Sequence, residues 1–158
     1  MSDISLRDVM RTFPQGVVVV TADGPDGPRG ITVSSFTSVS LSPPLVLICI
    51  MKESRAHDAI QQGKFVVNVL AEDQAKVSDH FASPKLSSEE QFEGYTYPKI
   101  DGCLGYLHCK VVGESTQGDH TVFFGEVESA ELEGGEDPKP IVFCSRRYWG
   151  LGDTVHER

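Results

Sequence analysis

Long apolar runs are missing from these 158 residues: the longest, Leu45 to Met51, follows Pro43-Pro44 and runs straight into Lys52 and Glu53. That is too short for a membrane helix and suits a buried strand. The opening segment MSDISLRDVMRTF mixes acidic and basic residues and has no apolar signal-peptide core, so a cytoplasmic protein is expected. Basic residues are in deficit, 14 Lys+Arg against 23 Asp+Glu, for a formal net charge of −9. Such a surface repels phosphate backbones and anionic lipid, which weighs against nucleic-acid and membrane partners. Its simplest consequence is that the chain stays dissolved. The four cysteines, Cys49, Cys103, Cys109 and Cys144, form no Cys-x-x-Cys and no His/Cys cluster. Free thiols are expected, with neither a metal site nor a disulfide framework. No glycine-rich phosphate loop is present, which excludes Walker-type and Rossmann sites. No Gly-x-Ser-x-Gly, His-Glu-x-x-His or carboxylate pair on a short helix supports a hydrolase. Repeats, low-complexity tracts and heptads are absent as well.

The residues that are there have the composition of a globular chain, 39% hydrophobic and 23% charged, and the length of one domain spanning 1–158. Ser5 and Asp8 have the spacing of a capping box, and Leu6, Val9, Met10 and Phe13 recur at helical spacing until Pro14-Gln15-Gly16. Strands are expected over Val17–Thr21, Ile31–Val39, Leu45–Met51, Phe65–Leu70, Cys103–Glu114, Thr121–Glu131 and Ile141–Ser145. Turns are expected at Asp23–Pro28, at Gly118-Asp119 and at Gly134–Pro138, the last joining the final pair of strands. Helices are expected over Ser54–Gln62, with Ser54 near the N-cap and Gly63 beyond the end, and over Glu72–Phe81. Residues 82–99 read as a long surface excursion, a kind of loop that is often functional. Strands joined by short turns, with few helices, point to a closed or nearly closed antiparallel barrel rather than a doubly wound parallel sheet.

Four constellations could carry chemistry. The hydroxyl-rich run Gly30 to Ser40, including Thr32, Ser34 and Ser35, could bond a heteroaromatic ring or merely meet water along an edge strand. Ser54-Arg55-Ala56-His57, opening a helix after a buried strand, could hold an anion or be a plain N-cap beside an exposed arginine. His120, where the Gly118-Asp119 turn enters a strand, could project into a cleft or serve only its turn. Arg146-Arg147-Tyr148-Trp149 could hold an anionic, stackable dinucleotide or dock a C-terminal segment on a subunit partner. His80, His108 and His156 show no partner spacing.

Taken in order, several blocks closely resemble the flavin reductase-like family with the FMN-binding split-barrel fold. They are Phe13-Pro14-Gln15-Gly16 through Thr21, Gly30 through Ser40, Leu41-Ser42-Pro43-Pro44 through Ile50, Phe65 through Ala71 with Gln74 and Phe81-Ala82, Gly118 through Val127, and Arg147-Tyr148. The likeness covers nearly the whole chain, and within the family it is greatest to the small reductase components of two-component flavin monooxygenases. It implies a mainly β fold, an antiparallel six-stranded split barrel with a few short helices, and a homodimer with FMN or FAD near the subunit interface.

Carried over by position, Thr32, Val33, Ser34 and Ser35 would line the flavin ring and ribityl chain. Ile48, Cys49 and Ile50 would offer backbone groups to its pyrimidine edge. Ser54 and Arg55 would hold the phosphate, and Phe81, Ala82 and Ser83 would meet the far end. His120, with Arg147 and Tyr148, would sit on the nicotinamide side of NADH or NADPH, with His120 positioning that ring in catalysis. Residues Ser83–Tyr97 and Trp149-Gly150 depart from the family pattern. The activity implied is hydride transfer from NAD(P)H to flavin, with reduced flavin passed to a separate monooxygenase. The alternative on the same barrel is a flavoredoxin-like protein that keeps its flavin for electron transfer or storage.

Overall fold

A computed structural model describes residues 4–155. Met1–Asp3 and His156–Arg158 lie outside the described residues, so the reading of His156 is untouched. The capping box forms: Ser5 Oγ accepts the Asp8 N–H, and Asp8 accepts the Ser5 N–H at 3.0 Å. It starts a single short helix, α1 (Leu6–Met10), that buries none of its residues.

Ten strands follow or interleave with three more helices. They are β1 (Gln15–Gly16), β2 (Val18–Gly24), β3 (Gly27–Val33), β4 (Phe36–Leu41), β5 (Pro44–Met51), α2 (Arg55–Ile60), β6 (Lys64–Val69), α3 (Ala75–Phe81), α4 (Ser88–Phe92), β7 (Gly105–Gln117), β8 (His120–Leu132), β9 (Val142–Cys144) and β10 (Arg147–Trp149). Seven strands make one antiparallel sheet in the order β3-β2-β6-β7-β8-β5-β4. Its two edge strands, β3 and β4, are consecutive in the chain and separated only by Ser34-Ser35. The sheet therefore curls until its edges meet at that dipeptide, which is the seam of a split barrel. This mainly β, antiparallel class is the one expected.

The seam corrects one expectation. Residues 31–39 are not one strand but the end of β3 and the start of β4, which raises the strand count from six to seven. Nothing in the local residue types breaks the run. The break comes from closure, because the chain must leave one edge and join the other, and Ser35 fastens it there. The Cys49 N–H donates to Ser35 O and Oγ, both at 3.3 Å, and Ser35 Oγ donates to Cys49 O at 2.8 Å.

Val18, Val20, Ile48, Ile50, Phe65, Val67 and Phe123 fill the barrel interior, and Ala59 and Ile60 of α2 close one end. A second core lies outside β2 and β6, where Val17, Val19, Val66 and Leu70 pack against Phe81, Ile100, Tyr106 and Ile141. Two-sided burial explains why these strands read as continuous valine runs rather than alternating ones. Each such side chain, when fully buried, stabilises the fold by roughly 1.5–3 kcal/mol.

The stretch 82–99 is not a free surface excursion. It carries α4, and its Gln91 completes the open edge of β3: Gly30 N–H donates to Gln91 Oε1 at 3.0 Å, and Gln91 Nε2 donates to Gly30 O at 2.8 Å. The last strands differ from expectation too. β9 pairs not with β8 but with β1 and β10, in a small three-stranded sheet.

Candidate functional site

Helix α2 buries Ala56, His57, Ala59 and Ile60, which leaves Arg55 and Asp58 on its outer face. His57 is held from below by a 2.8 Å hydrogen bond to Thr121 Oγ1 and by the edge of the Phe123 ring. With that face fixed, Arg55 is aimed over a cleft of about 480 Å³ whose walls include Arg29, Gly30, Ser54, Phe81, Ala82 and Ser83. That size falls within the range of small-molecule sites. Gly30 is required here: a Cβ would stand 2.5 Å from Cδ1 of Phe81, whose ring lies against the backbone of β3.

The cleft continues. Through Ala82 it meets a cleft of about 200 Å³ lined by Thr32, Val33, Ser34, Ser78 and Tyr148. Through Ser34 that one meets a third, about 450 Å³, with Phe13, Ser35, Phe36, Leu47 and Cys49 in its wall. Together they form one groove crossing the barrel seam from Arg55 to Cys49. It brings together Thr32, Val33, Ser34, Ser35, Cys49, Ser54, Arg55, Phe81, Ala82, Ser83 and Tyr148, which the sequence singled out from widely separated segments.

Several of these side chains already have partners. Thr32 Oγ1 donates to Ser78 O at 2.6 Å and the Ser35 hydroxyl is committed to Cys49, so of the three hydroxyls at Thr32, Ser34 and Ser35 that of Ser34 is the one left without a partner among the described residues. Ser54 Oγ accepts the Ala56 N–H at 3.2 Å, and α2 has only six residues. An anion at this end would therefore meet guanidinium groups more than a helix terminus.

Tyr148 is fixed by a chain of bonds. Its hydroxyl donates to Asp79 Oδ1 at 2.7 Å, so the Ser78 Oγ contact at 2.8 Å has serine as donor. Burial and then the neighbouring carboxylate raise the Tyr148 pKa, which keeps the phenol protonated. Cys103 and Cys109 are pushed up to about 11 and about 12 by burial, so neither supplies a thiolate near neutral pH.

Three expectations need revision. The Ile48 and Ile50 side chains are in the core, and strand parity turns their N–H and C=O groups toward β8. Cys49 N bonds Ser35 on one side while Lys52 N bonds Asp119 O on the other, so even-numbered residues of this run face β8. Of the three residues expected to present backbone groups, only Cys49 faces the groove, and Ser35 already occupies it. The same parity turns the Met51 N–H toward the groove, where β4 no longer runs alongside. Second, among the described residues His120 makes no hydrogen bond, ion pair or ring contact with Arg147 or Tyr148. It is registered opposite Met51, a residue of the groove wall, but lines none of the three clefts itself, and its Nδ1 is 2.7 Å from Asp119 Oδ1. Third, Arg147 itself is exposed and lines none of the three clefts.

The sequence reading also missed Arg29, Ser78 and Met51. Arg29 could have been found from its place beside Gly30. The other two depend on tertiary register.

What the groove can do follows from its walls. At one end, Arg29 and Arg55 both donate to Leu86 O, and among the described residues neither has a carboxylate within 4.0 Å. In the middle, Phe81, Val33, Ala82 and Ile31 offer flat apolar surface, with Ser34 and the Met51 N–H as polar points. A planar heteroaromatic carrying a phosphate-bearing chain fits that order of surfaces. Among the described residues, no three His, Cys, Asp or Glu side chains are placed to share a metal ion. No described helix is long and apolar enough to cross a membrane.

Known proteins resemble this chain along most of its length. It is 38% identical over 155 residues to HsaB of Mycobacterium tuberculosis, the reductase subunit of a flavin-dependent monooxygenase, with 93% of this chain and 81% of that one covered. It is 42% identical over 137 residues to an NADH-dependent FAD reductase of Streptomyces globisporus, covering 80% of this chain and 75% of that protein. The structure of the NADH:FAD oxidoreductase SgcE6 of Streptomyces globisporus, in complex with NAD and FAD fragments, superposes with a TM-score of 0.85 at 37% identity, over 96% of this chain and 93% of that one. The flavin reductase like domain matches residues 10–152. With a split barrel, a seam groove and this match across nearly its whole length, the chain belongs to the flavin reductase like family.

Proposed function

We propose that the chain, as a single reductase unit, is an NADH-dependent flavin reductase that delivers reduced FMN or FAD to a separate monooxygenase. The observation that carries this is the groove, which joins a pair of arginines, without a carboxylate within 4.0 Å among the described residues, to an apolar floor. The flavin supplies the hydride-accepting chemistry, so the protein has to bind, orient and exclude water. Arg55 and Arg29 hold the phosphate end. Phe81, Val33 and Ala82 seat the ring, and Ser34 with the Met51 N–H meets its polar edge. Tyr148, locked by Asp79 and Ser78, and His120, opposite Met51, confine the nicotinamide. Holding two rings at reacting distance lowers the barrier on the order of several kcal/mol.

A homodimer fits the same geometry. On the outer face of β5, β7 and β8, Met51 and Val112 are exposed, and Leu47, Val122 and Phe124 lie half-buried beside them. A second copy covering this apolar face would also wall the Cys49 end of the groove.

Purified protein mixed under air with NADH and excess FAD or FMN is the test. A reductase oxidises many equivalents of NADH per chain as reduced flavin leaves and reoxidises. NADH consumption no faster than in protein-free flavin solution, or a rate that does not rise with added free flavin because the flavin stays bound, contradicts the proposal, and the second outcome leaves the flavoredoxin-like alternative.

A further inference from the structure

Arg29 and Arg55 reach the groove from different elements, β3 and the start of α2, yet both aim Nη1 at the same atom, Leu86 O, at 3.4 and 3.3 Å. The two Nη1 atoms are thus within about 7 Å of each other, where like charges repel. A single terminal phosphate could sit against them from the groove side. The arginines, however, have two sides. They also form a wall of a second, smaller cleft of about 230 Å³, whose other walls are Gly24, Pro25, Asp26 and Asp58. Gly24 lets the hairpin sit close against α2 on this side, since a Cβ there would stand 3.0 Å from Gly27 O and 3.3 Å from Ala59 Cβ. The chain has therefore built space beyond the arginine pair that a ribityl monophosphate leaves empty.

The chemistry of that space is selective. Carboxylates at Asp26 and Asp58 accept hydrogen bonds from hydroxyls and repel phosphate. A neutral, hydroxyl-bearing group suits them, provided that it is tethered beyond the two guanidiniums. We infer that the site is built for FAD in preference to FMN: Arg29 and Arg55 clamp the diphosphate, and the adenosine enters the second cleft with its ribose hydroxyls on Asp26 and Asp58. This rests on the flavin reading above and makes it more specific. Arg29 is then a specificity-determining residue, because Arg55 alone can serve the phosphate of either flavin.

Isothermal calorimetry with FAD and with FMN separates the possibilities, using the wild type, Arg29→Ala and Asp26→Asn. Asp26 is exposed in the two-residue turn between β2 and β3, so its variant leaves the core untouched. The wild type is expected to bind FAD at least about tenfold more tightly than FMN, the size of effect that charge-assisted bonds provide. Arg29→Ala should weaken FAD about tenfold and FMN less than about threefold, and Asp26→Asn should weaken FAD alone. Equal affinities for the two flavins, or variants that weaken both alike or neither, overturn the inference. Absence of binding by either flavin overturns the flavin reading itself and this inference with it.

Discussion

His120 illustrates how far a single residue can be read. Its place at the entrance to a strand was visible from Gly118-Asp119, and the structure registers it opposite Met51 of the groove wall. Its hydrogen bond holds the Asp119 carboxyl below the usual carboxylate range, so the pair is oriented before any ligand arrives. A residue that positions nicotinamide should affect one substrate and spare the other. His120→Ala is expected to raise the KM for NADH roughly tenfold, the scale of one oriented contact, while flavin affinity stays within about twofold. Parallel losses in both, measured by steady-state kinetics and flavin titration, contradict that role. Thr32, Ser35, Ser54 and Arg55 were brought to the groove by the family resemblance rather than by residue type, which left a solvated edge strand and a plain N-cap open, and the three hydroxyls among them hydrogen-bond within the protein. The Met51 N–H was not legible, since no residue type announces which way a backbone group points.

Elements whose limits are set by local chemistry were read correctly. The Ser5–Asp8 capping box, the Ser54 cap of α2 and Gly63, at φ +107° just past its end, all use short-range bonds or backbone freedom. Elements set by distant partners were misread. The Ser34-Ser35 seam and the capping of β3 by Gln91 exist only once the barrel has closed. The hairpin from β9 to β10 shows a local cost accepted for such a purpose. Its two turn residues, Ser145 and Arg146, have φ of 51° and 62°, a left-handed pair that favours Asn-Gly. The turn places Tyr148 opposite Phe143 and hence over Ser78. Replacing Ser145-Arg146 by Asn-Gly is expected to raise the free energy of unfolding by about 1–2 kcal/mol, measured by denaturant titration. A loss of stability would mean that the side chains of Ser145 and Arg146 matter more than the strain they bear.

At the scale of the whole molecule, the class of fold was legible because the spacing of strands and turns is a property of the entire chain. The groove was not, because it joins segments from Phe13 to Tyr148 that meet only across the seam. On the proposed function it divides the labour: the barrel fixes a platform, and residues from its edges would arrange two ligands face to face. The direct test is a single turnover without oxygen, with protein, one equivalent of FAD and one of NADH, following the visible flavin band. Bleaching far faster than in protein-free buffer, and slower when the transferred C4 hydrogen of NADH is deuterium, is the result expected. Bleaching no faster than in buffer would contradict the claim that this groove brings flavin and nicotinamide together.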